Sequence, residues 1–228
     1  MPLTRGIAAV MIDLDGTLLD TVPDLAAAAD RMLAALGMPL RTQEEIRSFI
    51  GKGIPNLVQR CLRASAGAAR AEALQAEALA LYHGFYFEES GRRSAVYPGA
   101  IEGLEQFLAM GLRLACVTNK AARFTLPLLE QKGLAPYFEL VVSGDTLSRK
   151  KPDPMQLEHI CAAFALAPEK VLLIGDSAND ALAARAAGCP VLCVSYGYNE
   201  GGDVRNLDCD AIVESLSEAA NILKSIRS

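Results

Sequence analysis

Residues 7–17 read Ile-Ala-Ala-Val-Met-Ile-Asp-Leu-Asp-Gly-Thr, an apolar run that stops on two aspartates. A continuous apolar run rich in branched residues, with no polar alternation, is the pattern of a strand buried on both faces. Such strands belong to parallel sheets sandwiched between helices. Asp13 and Asp15 then bring like charges together at the sheet edge, which is costly unless a cation or a proton sits between them. The economical account is a divalent-metal site beside a reactive carboxylate; the competing account is a strand end followed by an ordinary Asp-Gly turn.

The remainder of the chain alternates in two different ways. From Leu19 to Gly91 the pattern is helical, with no strand candidate. Asp24–Leu36 is alanine-rich and stops at Gly37 ahead of Pro39, and Thr42 with Glu45 makes a capping box for the next helix. Gly51-Lys52-Gly53 interrupts before Ile54–Ala64, and Ala68–Phe87 is a further long helix. From Val96 onward helices and strands take turns. Strands are expected at Leu112–Val117, Leu140–Val142, Val171–Ile174, Val191–Val194 and Ala211–Val213. Helices are expected at Ile101–Met110, Arg123–Lys132, Met155–Phe164, Ala178–Ala187 and Leu216–Ile226. That alternation predicts an α/β fold with a mainly parallel sheet, into which the helical block is inserted after the first strand as a lid. The junctions Leu19–Pro23 and Gly91–Pro98 are the expected hinges.

Composition narrows the function. The 228 residues are 51% hydrophobic, enough for a sizeable core, and the net charge of -5 comes with no basic stretch dense enough to follow a phosphate backbone. Nucleic acid is therefore not an expected partner. Asp13 cuts the first apolar run too early for a signal peptide or a membrane span, so a cytoplasmic protein with no membrane partner is expected. Six cysteines form no C-x-x-C pair and suit small buried hydrophobes in a reducing compartment. With only His83 and His159, a histidine metal site or a Ser-His-Asp triad lacks material.

In parallel sheets ligands bind beyond the carboxyl ends of the strands. Those ends carry Asp13 and Asp15, then Thr118-Asn119-Lys120, then Gly175-Asp176-Ser177-Ala178-Asn179-Asp180, with a rigid loop Lys150-Lys151-Pro152-Asp153-Pro154 nearby. Taken singly, Thr118-Asn119 and Asp176 are ordinary helix caps and the two lysines ordinary surface. Asp180 either reaches the same site as Asp176 or pairs with Arg185 outside it. Taken together they are what phosphoryl transfer needs: oxygen ligands for a divalent cation, positive charge and donors for the phosphoryl oxygens, and carboxylates for covalent and proton chemistry.

Asp13-Leu14-Asp15-Gly16-Thr17, Thr118-Asn119, Lys151 before Pro152, and Gly175-Asp176 with Asp180 resemble the four signatures of the haloacid dehalogenase-like phosphohydrolases. The resemblance spans nearly the whole chain. It implies a Rossmann-like core, residues 1–18 and 92–228, and a small α-helical cap, residues 19–91. It also implies that Asp13 is the nucleophile and Asp15 the acid and base. Mg²⁺ would be held by Asp13, the Asp15 main-chain carbonyl and Asp176, with Asp180 in support. Thr118, Asn119 and Lys151 would bind the phosphoryl group.

Phe49-Ile50-Gly51-Lys52-Gly53 with Leu57-Val58-Gln59-Arg60, Val117-Thr118-Asn119-Lys120, and Ser195-Tyr196-Gly197-Tyr198-Asn199 are similar to the bacterial phosphoglycolate phosphatases within that superfamily. The likeness implies a small phosphate monoester, 2-phosphoglycolate, as substrate. Gly51 and Gly53 would let main chain approach it, and Lys52 either meets its carboxylate or is a solvated lysine on an interhelical turn. Two positions depart from the pattern: Ala178, where arginine is frequent, and Lys52, where asparagine is frequent. Another small-molecule phosphatase of the same fold (for a sugar phosphate or pyrophosphate), a β-phosphoglucomutase-like mutase and a non-catalytic binding protein remain as alternatives. Either a monomer or a homodimer is compatible with the sequence.

Overall fold

A computed structural model describes residues 6–227. Strand β1 (Ala9–Ile12) is the centre of the main sheet. It pairs in parallel with β4 (Arg113–Val117) on one side and β6 (Val171–Gly175) on the other. The sheet is completed by β5 (Leu140–Val142), β7 (Val191–Val194) and β8 (Ala211–Val213), in the order β5-β4-β1-β6-β7-β8, every pairing parallel.

The apolar runs lack alternation because both faces are covered. Val10 and Ile12 face a layer built by α5 (Ala100–Ala109), α6 (Ala122–Gln131) and α9 (Leu216–Arg227). Ala9 and Met11 face α7 (Met155–Phe164) and α8 (Ala178–Ala187). β4 and β6 divide in the same way: Leu114, Cys116, Leu172 and Ile174 go to one face and Ala115, Val117, Val171 and Leu173 to the other. Each face is apolar, so the strand reads as a solid run although the pleat alternates.

Four helices follow the first strand: α1 (Val22–Ala35), α2 (Gln43–Phe49), α3 (Ile54–Ala66) and α4 (Ala68–Glu89). They share a separate apolar cluster containing Leu25, Met32, Ile46, Leu62, Tyr82 and Tyr86, joined from the sheet side by Phe124 and Tyr198. The expected capping box is present: the Glu45 N–H donates to Thr42 Oγ1 at 3.2 Å and the Thr42 N–H to Glu45 Oε2 at 2.8 Å. Five of the six cysteines are buried and all six are free thiols.

One expectation for this region is corrected. Leu19–Asp20 forms a short strand, β2, paired antiparallel with β3 (Ala95–Val96). Two residues are too few to show a period, and their partner lies some 75 positions along the chain, so the pairing is invisible locally. The ribbon joins the two chain crossings between helical block and sheet. Asp24, fully buried, fastens the same place by accepting the N–H groups of Gly91 (2.8 Å), Arg93 (2.7 Å) and Ser94 (3.0 Å). No described helix is long and apolar enough to cross a membrane.

Candidate active site

The register puts the chemistry at one level. Ile12, the last residue of β1, stands opposite Cys116 and Ile174, each one residue short of the end of its own strand, so β1, β4 and β6 end at nearly the same level. The strand order also turns back at β1, with β4 and β5 to one side and β6, β7 and β8 to the other, which opens a crevice at these carboxyl ends.

Asp13, Asp176 and Asp180 converge there, each offering a carboxylate oxygen within 4.8 Å of the others. Lys151 Nζ lies 2.9 Å from Asp13 Oδ1 and 2.6 Å from Asp180 Oδ1, and donates to Val117 O at 2.9 Å. All four residues are buried; Lys151 is 2% exposed and Asp180 0%. Asp180 therefore takes the first of its two expected courses. Arg185 instead pairs with Asp208 and Asp210. Asp180 is held at the start of α8 by the Ser177 main chain and hydroxyl, the latter at 2.7 Å. Asp176 is gripped from behind: the Tyr198 N–H donates to its Oδ2 at 2.6 Å. A Cβ on Gly197 would fall 2.1 Å from Asp176 Cβ, and one on Gly16 (φ +86°) 2.3 Å from its Oδ2, so glycine is required at both positions.

Three buried carboxylates share one ammonium. Burial pushes the Asp13 carboxyl up to about 7 against the opposing pull of Lys151, and Asp180 adds to the rise. Burial and the charges of Asp180 and Asp13 likewise hold Asp176 well above the carboxylate range. For Lys151, burial is outweighed by Asp13 and Asp180, which keep it firmly protonated. Asp13 Oδ1 accepts no well-directed hydrogen bond, even from Lys151. An all-oxygen donor set, excess negative charge and an under-satisfied buried carboxylate fit a hard divalent cation such as Mg²⁺.

Asp15 faces a different set of partners. Lys120 Nζ bridges its two oxygens at 2.9 and 3.0 Å, and Thr21 Oγ1 donates at 2.7 Å. The Lys120 ammonium also lies 5.0 Å above the Tyr86 ring of α4. Burial disfavours its charge, but Asp15 and Tyr86 more than compensate and raise its pKa. Sequence reasoning gave Lys120 no role, although its place after Thr118-Asn119 at a strand end was a usable signal. Gln156 left no signal. It is fully buried, accepts from the Lys151 N–H at 3.1 Å, and donates to Thr118 O and Ser143 O at 3.2 and 3.0 Å, tying the lysine loop to β4 and β5.

Thr118 is buried at the tip of β4, where its hydroxyl accepts the Lys120 N–H at 3.2 Å. The Asn119 side chain spans the seam, donating to Gly51 O at 3.0 Å and Lys151 O at 2.9 Å. Thr118, Asn119, Asp13, Asp15, Lys151, Asp176 and Asp180 all line one cavity of about 270 Å³, to which the helical block contributes Leu25, Ile54, Leu57 and His83. Lys52 is not brought in. It is exposed, and its ammonium pairs with Glu200 Oε2 at 3.0 Å outside the cavity wall. Glycine on either side (Gly51 φ +134°, Gly53 φ +84°) adopts this backbone freely, and it is the Gly51 carbonyl, not the lysine, that meets Asn119 at 3.0 Å.

A model of the haloacid dehalogenase-like hydrolases matches residues 7–188. A phosphoglycolate phosphatase of Thiobacillus denitrificans is 55% identical over 214 residues, covering 94% of both chains. One from Nitrosospira multiformis is 55% identical over 218 residues, covering 96% of both. A crystal structure from Haemophilus somnus 129pt, itself described as a predicted phosphoglycolate phosphatase, superposes with a TM-score of 0.91 at 31% identity, covering 96% of this chain and 99% of that one.

Proposed function

The chain belongs to the haloacid dehalogenase-like hydrolases, and on that premise we propose that it is a Mg²⁺-dependent phosphatase that splits 2-phosphoglycolate into glycolate and phosphate. One observation carries the reaction class: Asp13, Lys151, Asp176 and Asp180 meet at one end of a cavity that Asp15 also lines. The substrate rests on the names of the relatives at 55% identity.

Asp13, Asp176 and the Asp15 carbonyl would hold the cation, with Asp180 in support; the bound cation offsets negative charge on the phosphate oxygens and on Asp13. An Asp13 oxygen attacks phosphorus as the ester bond breaks, giving an aspartyl-phosphate, and the leaving oxygen takes a proton from the Asp15 carboxyl. Water then attacks phosphorus, returns a proton to Asp15 and frees Asp13. Thr118, the Asn119 main chain and Lys151 supply donors and charge to the phosphoryl oxygens. Lys120 and Thr21 keep the Asp15 carboxyl aimed. Residues 19–91 act as a cap over the core formed by 1–18 and 92–228, swinging on the β2–β3 ribbon to exclude water during the first step. The five buried, free cysteines support a reducing, cytoplasmic setting.

The test is a panel of phosphate esters. With Mg²⁺, kcat/KM for 2-phosphoglycolate is expected to exceed that for hexose phosphates and pyrophosphate by about 10-fold or more. No preference for phosphoglycolate would overturn the substrate, and no phosphate release from any ester would overturn the reaction.

The carboxylate cluster also sets a pH dependence for the metal-free protein. Asp13 is raised from 3.8 to about 7 on folding, so the folded state binds more protons than the unfolded chain between those values. Its contribution is then complete below about pH 4 and lost as pH rises toward 7, a fall on the order of 4 kcal/mol. In chelator, urea midpoints are expected to drop across that window, and Mg²⁺ to restore them most at the alkaline end. Midpoints independent of pH in chelator would contradict this.

A further inference from the structure

Four lysine and arginine side chains line the cavity: Lys120, Lys151, Lys150 and Arg123. Two are neutralised. Lys120 is paired with Asp15, and Lys151 with Asp13 and Asp180. Arg123 is exposed, with its guanidinium 4.8 Å from the Phe124 ring, so water screens its charge.

Lys150 differs from the other three. It is half-buried, and its ammonium donates to a main-chain carbonyl, Lys52 O, at 3.2 Å, with no carboxylate partner among the described residues. Its position is defined from a second side. A Cβ on Gly53 would stand 2.9 Å from Lys150 Nζ and 3.6 Å from Asn119 O, so the ammonium lies where the Gly51–Gly53 loop meets the tip of β4. Lys151, the next residue, reaches the opposite way into the carboxylates. The loop thus presents two adjacent lysines to one cavity, one charge balanced and one not. Lys52, the lysine with the expected contact, is meanwhile committed to Glu200.

Resting on the phosphoglycolate reading above, we propose that Lys150, rather than Lys52, binds the second anionic group of the substrate, the carboxylate two carbons from the phosphate oxygen. When that carboxylate arrives, it replaces the weak carbonyl contact with a charge-assisted hydrogen bond. Lys150 would then select small phosphate esters that carry a second negative charge close to the phosphate. Because the same ammonium touches the cap loop, binding that anion also engages the seam that must close.

The experiment compares kcat/KM for 2-phosphoglycolate with that for p-nitrophenyl phosphate, whose leaving group has no carboxylate, in the wild type and in K150Q, K150R, K52Q and R123Q. The ratio of the two values is independent of how much protein is correctly folded. In K150Q the ratio is expected to fall by about 10-fold or more, chiefly through KM for phosphoglycolate, and K150R to retain most of it. K52Q and R123Q are expected to change the ratio by less than about threefold. A wild-type preference for phosphoglycolate that survives K150Q overturns the assignment of Lys150 alone, as does a fall confined to K52Q or R123Q. A wild type without that preference overturns the substrate reading itself.

Discussion

Asp13→Asn is expected to abolish turnover, by about 10⁴-fold or more in kcat, and to leave the protein folded. The amide keeps the size and position of the side chain but removes the lone-pair charge that attacks phosphorus. The effect on stability is the more discriminating part. Burial holds the Asp13 carboxyl up to about 7 despite Lys151 at 2.9 Å, so ionising it at pH 8 costs the fold more than the ion pair returns. Replacing it with a neutral group removes that cost. The metal-free variant is therefore expected to melt at or above the wild-type temperature at pH 8, and Mg²⁺ to raise its Tm by less than it raises the wild type's. Thermal scans with chelator and with Mg²⁺, beside a phosphate-release assay, check both halves. Residual turnover close to wild type would remove Asp13 as the nucleophile.

Lys151→Met should have the opposite effect on stability. It deletes the one ammonium among three buried carboxylates and leaves Asp13, Asp176 and Asp180 facing one another. Breaking a buried pair from one side typically costs about 3–5 kcal/mol, because the remaining charge is uncompensated. The loss should be greatest in chelator at pH 8 and smaller at pH 5, where the raised carboxyl of Asp13 regains its proton. Activity is expected to fall by about 10³-fold from the loss of charge at the phosphoryl oxygens. Lys151→Arg is not expected to rescue either property, since the slot between Val117 O, Asp13 and Asp180 fits a compact ammonium, not a planar fork. Equal stability of Lys151→Met and wild type at pH 8 in chelator would show that the three carboxylates do not repel as described.

Much of the framework was legible because its signals are local. Each strand buried on both faces announces itself as an apolar run, and Thr42 with Glu45 announces a helix start over four residues. The strand β2 was not legible, because two residues carry no period and its partner lies far along the chain. The same distinction holds within the site. Asp13, Thr118 and Asp176 could be singled out as candidates because each directly follows a strand, and parallel strands deliver their ends to one edge. Gln156 was missed because nothing in a helix's own sequence shows that one of its residues braces a loop and two strand ends.

The sequence by itself therefore determined which residue types stand at the sheet edge, and with them the class of chemistry: strand burial and parallel pairing leave little freedom in where a strand ends. The tertiary structure alone decided where the side chains point. Lys52 turns out to Glu200, Asn119 reaches across to Gly51, Lys120 takes Asp15 and Lys150 keeps an unneutralised charge at the cavity wall. Those directions depend on packing and charge contributed by segments tens to more than a hundred residues away, and a long side chain has several rotamers of nearly equal energy until such neighbours choose among them.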